Sequence, residues 1–197
     1  LEFRRVLFRS IRFGKNYIRA PYLIQSADFI GVHMFDFLDK YDVLGKAKNG
    51  ATVLINSPYN ASEVWNHLTA EVQKIIIDRK LKVYVIDASD IALATGMGSR
   101  TNTILQAAFF KLANVIPLEQ AVAEMKDAIY KTYYKKKGQA VVDMNNASIE
   151  HGINELAEVA IPAAWATAQD APVERKAPDF IREVVDVMNR QEGDSLP

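Results

Sequence analysis

The stretch Gly96-Met97-Gly98-Ser99-Arg100-Thr101-Asn102 concentrates the residue types best suited to holding an anion. Two glycines let the backbone approach a ligand, and a helix beginning near Ser99 to Asn102 would present free N–H groups at a positive dipole end. Arg100 adds a fixed charge whose fork geometry suits phosphate. The competing reading is an ordinary loop, with a glycine that ends one helix and a Ser or Asn that caps the next. The stretch is not a full Gly-x-Gly-x-x-Gly and does not follow a strand directly, so it makes no dinucleotide fingerprint. Asn145-Asn146, after a possible strand, reads as the opening of a later helix, and an Asn N-cap is its ordinary explanation. If the two helix starts converge, Asn102 and Asn145 bring two amides beside two positive helix ends, a pocket suited to a nucleotide.

The other candidate groups have plainer explanations. His33, His67 and His151 are scattered without metal-ligand spacing and read as packing or surface histidines. Lys135-Lys136-Lys137 suits the solvated C-terminal end of a helix, where cations complement the dipole. Asp87 ends a predicted strand, where α/β proteins place acids that contact ligands, and a helix-capping role competes. No Ser–His–Asp arrangement or paired-carboxylate motif stands out.

The elements that must position these residues alternate in the first half. Asp28 to His33 is a short apolar run, followed by a helix-like segment through Phe37, Leu38, Tyr41 and Leu44. Ala51 to Ser57 predicts a buried strand stopped by Ser57-Pro58, and Lys82 to Ala88 predicts a third. Between them Val64, Trp65, Leu68, Val72, Ile75 and Ile76 recur at helical spacing, predicting a helix from about Ala61 to Arg79. After Gly98 the pattern is mostly helical, with one stripe through Ile104, Leu105, Ala108, Phe109 and Leu112. Leu118, Val122, Met125 and Ile129 make another. Ala140 to Met144 reads as a last strand before a helix through Ile149, Ile153, Leu156 and Ala160. The expected class is a three-layer α/β/α fold with a mostly parallel sheet and a helical second half, incomplete at its N-terminal side.

A hydrophobic share of 49% and an aromatic share of 10% in 197 residues suit a packed core and exclude wholesale disorder. Lys+Arg and Asp+Glu both number 24, so no broad attraction to nucleic acid or acidic membranes is expected. Apolar runs of only a few residues exclude a membrane span. The count of Cys is 0, which excludes disulfides, thiolate nucleophiles and Cys-ligated clusters on this chain and fits a reducing, cytoplasmic setting.

Residues 1–10, LEFRRVLFRS, show no cap, turn or usable period, and Arg4 to Ser10 looks like the translation of a common sequencing adapter. They are set apart as an artefact at the cut end of a gene fragment. Residues 11–166 are read as one N-terminally truncated domain. From Ala163 the composition shifts to Ala, Pro, Gln and charge. Residues 167–197 are therefore read as a linker and the start of a connection to a next domain, with an amphipathic piece from Pro178 to Met188.

Several segments together resemble one region of the pyruvate:ferredoxin (flavodoxin) oxidoreductases. They are Pro21-Tyr22-Leu23-Ile24 with Ala27-Asp28-Phe29, then Lys40-Tyr41-Asp42, Thr52-Val53-Leu54-Ile55-Asn56-Ser57 and Gly96-Met97-Gly98-Ser99-Arg100 with Asn102. Ala108-Phe109-Phe110-Lys111-Leu112, Met144-Asn145, Ala164-Trp165 and Met188-Asn189-Arg190-Gln191-Glu192-Gly193-Asp194 continue the match in order from Ile11 to Pro197. The region resembled is the gamma-type domain, implicated in holding coenzyme A. The resemblance implies that pyruvate and coenzyme A give acetyl-coenzyme A, carbon dioxide and electrons for ferredoxin or flavodoxin. It also implies thiamine diphosphate, magnesium and 4Fe–4S clusters in the whole enzyme, none of them held by this segment alone. The remaining domains of the same polypeptide would be its neighbours, in a homodimer when intact, without nucleic acid or membrane. The family's coenzyme A contacts include an asparagine in the glycine loop and one in a Met-Asn pair, which fall on Asn102 and Asn145, with Arg100 and Gly98 beside the first. Further family contacts lie upstream of Ile11, so the pocket is expected to be incomplete and the isolated chain inactive. The alternative is a non-catalytic α/β module that contacts other domains or subunits.

Overall fold

The computed structural model of the chain describes residues 10–14, 16–19, 24–161 and 178–189. The apolar runs of the first half form three parallel strands, β1 (Ala27–Val32), β2 (Ala47–Asn56) and β3 (Lys82–Ile86). A short β4 (Ala157–Glu158) pairs antiparallel with β3 and completes the order β1-β2-β3-β4. β2 starts earlier than predicted, at Ala47, which pairs with Ala27 before a register shift leads into the regular pairs Phe29↔Thr52 to Val32↔Ile55.

Alternation along the strands sends Val32, Val53, Ile55, Val83 and Val85 to one face and Phe29, Leu54, Tyr84 and Ile86 to the other. Both faces are covered, which is why the strands read as continuous apolar runs. On the first face lie α1 (Phe37–Lys40), a 3-10 turn at Val64–His67 and α2 (Ala70–Asp78), contributing Leu38, Trp65, Val72 and Ile76. On the second lie α3 (Ala88–Ala94) and α4 (Asn102–Ala113), contributing Ile91, Ile104, Leu105 and Ala108. Enclosing a side chain such as Ile55 stabilises the fold by about 1.5–3 kcal/mol. α5 (Leu118–Lys137) and α6 (Gln139–Asn154) pack outside α4 around Met125, Ile129, Val142 and Ile149. This is the expected three-layer arrangement with a mostly parallel sheet and a helical second half.

Three expectations are corrected, the first being the helix read through Ile149 to Ala160, which ends at Asn154 before Ala157–Glu158 pairs with β3. The single helix from Ala61 to Arg79 is broken at Leu68-Thr69. Thr69 is extended and its hydroxyl caps Val72 N–H at 3.4 Å, so α2 restarts there. The Gln73 amide donates to the carbonyls of Trp65 (2.8 Å) and Leu68 (3.3 Å), satisfying the end of the preceding turn. The predicted strand Ala140 to Met144 is instead the start of α6. Gly138, at φ 79°, lets the chain reverse directly after α5, and Val142, Asn145 and Ile149 then fall on one helical face. Of the adapter-like residues 1–10 all but Ser10, and nearly all of the linker, lie outside the described residues. Within the amphipathic C-terminal piece, a π-type turn at Ile181–Val185 leads into α7 (Asp186–Asn189).

Candidate functional site

The glycine loop joins α3 to α4. Asp87 caps α3, accepting from Ser89 N–H (3.1 Å) and Asp90 N–H (2.9 Å), so its carboxylate serves the cap. At the other end of α3, Gly96 N–H bonds Leu93 C=O (3.1 Å) and Met97 N–H bonds Ala92 C=O (2.7 Å). That paired closure requires the left-handed φ of 76° that Gly96 supplies, and it buries Met97. Gly96 therefore performs the predicted C-cap role. Gly98, at φ 64°, is exposed with open space around it. Arg100 is exposed and its Nε donates to Met97 C=O at 3.0 Å, tethering the side chain to the loop. Thr101 makes no side-chain capping bond to the first turn of α4. Asn102 opens that helix and is exposed, as predicted.

Asn145 is not at a helix start. It lies in mid-α6, 2% exposed, with its Nδ2 donating to Val141 C=O at 2.7 Å. The pocket of two converging helix starts is thus not formed: Asn102 lines a hollow whose lining residues do not include Asn145. The neighbouring Asn146 has a buried Oδ1 without a hydrogen-bond partner among the described residues.

That hollow has a volume of about 910 Å³ and lies on the second face of the sheet beside β1, its edge strand. Its floor is formed by Phe29 and Gly31 on β1 and His33 just beyond it, with Thr52 and Leu54 on β2. Asn102, Leu105, Gln106 and Phe109 of α4 form a wall at spacings of three and four residues, one helical face. Ile11, Phe13 and Ile18 lie over it. The Phe109 ring meets Phe29 edge-on, with centroids 5.0 Å apart, and Phe13 at 5.7 Å. Phe29 is near the start of β1 and Phe109 is two turns beyond Asn102, so α4 runs against the strands. Its N-terminal end accordingly stands with His33 over the carboxyl edge of the sheet, the usual ligand position in α/β folds. His33, Asn102 and Gln106 line the hollow toward the carboxyl edge, and toward the start of β1 the phenylalanines are accompanied by Arg12, Gln25, Ser26 and the ion-paired Asp28 and Lys48.

Asn56 ties that carboxyl edge together, donating to His33 C=O (3.0 Å) and accepting from Ala88 N–H (2.9 Å). His67 is stacked on Tyr59 with centroids 3.6 Å apart, and His151 pairs with Glu155. Lys135, Lys136 and Lys137 are exposed at the end of α5. Among the described residues no three His, Asp or Glu side chains are grouped to hold a metal, and no helix is long and apolar enough to cross a membrane. Gly31, Gln106 and the facing phenylalanines carry no candidate role in the sequence reading, which takes His33 for a packing or surface histidine. Gly31 inside a strand and the 102/106/109 spacing were the available signals.

The profile of a family described as pyruvate ferredoxin/flavodoxin oxidoreductase matches residues 5–155, and one described as a domain of unknown function matches residues 166–197. The pyruvate-flavodoxin oxidoreductase of Rhodospirillum rubrum is 50% identical over 188 residues, covering 95% of this chain and 16% of the relative. The pyruvate:ferredoxin oxidoreductase of Moorella thermoacetica is 42% identical over 194 residues, covering 98% and 16%. The chain thus spans about a sixth of the length of these curated relatives. Among solved structures, pyruvate oxidoreductase subunit PORC of Thermotoga maritima superposes with a TM-score of 0.51 at 19% identity, over 68% of this chain and 66% of that one. That likeness concerns the fold. The ordered sequence match, extending through the sheet, the glycine loop and α6, makes this chain a member of the pyruvate ferredoxin/flavodoxin oxidoreductase family.

Proposed function

We propose that this segment holds coenzyme A within a cytoplasmic enzyme that oxidatively decarboxylates pyruvate. In that reaction pyruvate and coenzyme A give acetyl-coenzyme A and carbon dioxide, and two electrons pass to ferredoxin or flavodoxin. Thiamine diphosphate with magnesium would supply the carbanion chemistry and 4Fe–4S clusters the electron path, from elsewhere in a homodimeric assembly. This chain has no cysteine, so its own donors do not fit an iron–sulfur cluster.

The observation that carries the reading is Asn102, exposed at the start of α4 and lining a large hollow with His33 and Gln106. Its amide can donate and accept, and the uncapped first turn of α4 offers N–H groups toward an anion. Arg100 and Gly98 in the adjoining loop leave room and positive charge for the phosphates. Asn145 is buried in α6 with its amide bonded within that helix, so its part in the site is taken as structural.

The test is Asn102→Ala in the intact enzyme. Losing one polar contact to a charged ligand costs about 0.5–3 kcal/mol, a rise in KM for coenzyme A of roughly 2- to 150-fold. The KM for pyruvate is expected to stay constant. Asn145→Ala serves as the comparison, expected to lower the thermal midpoint. An unchanged KM for coenzyme A in Asn102→Ala rejects the reading.

A second reading, a module for contacts with other domains, is favoured by the exposed end of α5. Tyr130 and Tyr134 stack there with centroids 4.5 Å apart, 47% and 43% exposed, beside Lys135 to Lys137. It predicts that changes at this end impair assembly while leaving coenzyme A affinity intact.

A further inference from the structure

We propose that Asn56 is a positioning residue of the coenzyme A site: its amide fixes His33 at the rim of the hollow, where the imidazole makes a second polar contact with the ligand. The inference rests on the coenzyme A reading above.

The pairing of β1 with β2 ends at Val32↔Ile55, so His33 is the first residue beyond that ladder. β2 runs one residue further, to Asn56, which still pairs with Ile86 of β3. Asn56 follows Leu54 at a spacing of two and shares its face, the side of the sheet on which the hollow lies. From there its Nδ2 donates to His33 C=O at 3.0 Å, where backbone bonding to β1 has stopped. Its Oδ1 accepts from Ala88 N–H at 2.9 Å, one of the donors that the start of α3 leaves without a helical partner.

The two partners fix which way the amide faces, because a peptide N–H only donates and a carbonyl only accepts. A capping role at α3 alone would be met by any short acceptor, Asp or Ser included. The donor arm is what calls for an amide, and it goes to His33. Asn56 is not among the residues that line the hollow, whereas His33 is, together with Asn102. The His33 ring lies back over β1 on that side, its Nε2 3.9 Å from where a Cβ on Gly31 would stand. Among the described residues the imidazole meets no hydrogen-bond partner, so its ring nitrogens are available to a ligand at the rim. The sheet side of the rim thus offers an imidazole and the helix side an amide, and Asn56 sets the first of them.

The experiment is a double-mutant cycle in the intact enzyme, with Asn56→Asp and His33→Ala made singly and together. Asn102→Ala is measured alongside. Coenzyme A itself is the probe, its Kd read by titration calorimetry, and a thermal midpoint is taken for each variant. Asn56→Asp keeps the acceptor for Ala88 N–H and loses the donor to His33 C=O. Each single change is expected to raise the Kd roughly 2- to 12-fold, and the pair to match the larger single effect. If His33→Ala leaves the Kd unchanged while Asn102→Ala raises it, the proposal is overturned and the coenzyme A reading stands. If neither raises it, the reading fails and the proposal with it. A Kd raised in the pair by the product of the single effects shows Asn56 acting other than through His33, which overturns the proposal. So does a midpoint that falls in Asn56→Asp at constant Kd, the mark of a purely structural amide. Should Asn56→Asp not fold, Asn56→Ala carries the same cycle with His33→Ala.

Discussion

Gly152→Ala separates two opposing effects at the seam that seats α4. Gly152 is buried near the end of α6. A Cβ on it would stand 2.6 Å from Ile104 O, 3.1 Å from Ile104 Cα and 3.2 Å from Ile104 C. Helix propensity alone favours alanine by about 0.8–1.0 kcal/mol, so on that ground the substitution stabilises. Overpacking opposes it, at about 1–3 kcal/mol, and here toward the upper part of that range. The obstructing atoms are backbone, so no rotamer change relieves them, and the helices must separate by roughly 0.5–1 Å.

Overpacking therefore wins, with a net loss of about 1–2 kcal/mol and a fall in midpoint of roughly 2–8 °C. Ile104 sits two residues after Asn102, so separation at this contact also displaces the first turn of α4, and on the proposed coenzyme A reading a lowered affinity is the expected outcome. Thermal unfolding followed by circular dichroism, with calorimetric titration of the intact enzyme, measures both. A raised midpoint would show that the helices are not in backbone contact there and would refute the reasoning.

Two further outcomes are expected. Arg79 Nη1 donates to the carbonyls of Leu44 (3.2 Å), Gly45 (2.7 Å) and Ala47 (2.6 Å), pinning the start of β2 to the end of α2. Arg79→Ala should cost about 1.5–3 kcal/mol, a fall of roughly 3–12 °C, and an unchanged melt would mean that water serves those carbonyls equally well. Burial, and then the facing Glu158 carboxylate that accepts its hydrogen bond, raise the Tyr84 pKa above 10.0. The folded state thus holds that proton more tightly. The resulting stability is complete below the unfolded value and disappears as the pH climbs through the raised one. Tyr84→Phe should flatten the alkaline limb of a midpoint-against-pH curve, and an unaltered limb would sink the assignment.

What was legible in the sequence depended on how local each cause was. The strands through Val53-Leu54-Ile55 and Val83-Tyr84-Val85 declare themselves because a doubly covered parallel sheet needs apolar residues on both faces. The Gly96 closure is equally local, since it satisfies the carbonyls at the end of α3 just before it. Val141-Val142 misled because a window of five residues cannot separate a buried strand from a helix. Only with Asn145 and Ile149 included does the helical period appear. That misreading carried over to the site: with Ala140 to Met144 taken as a strand, Asn145 became a helix start, whereas in mid-helix its amide is committed to Val141. β4 leaves still less trace, because two residues pairing with Tyr84 and Val85 are defined only by the partner strand. The glycines show the limit most directly. Gly31 and Gly152 both interrupt regular elements, and propensity treats both as local weakness. One faces open space and the other the Ile104 backbone, so opposite substitution effects follow from neighbours more than forty residues away in the chain in one case, and from their absence in the other. A hollow assembled from a sheet floor and one helix wall is therefore readable residue by residue only on the wall, where the 102/106/109 spacing lies within a single element. The floor needs the sidedness of the sheet, and that is decided by which helices come to cover it.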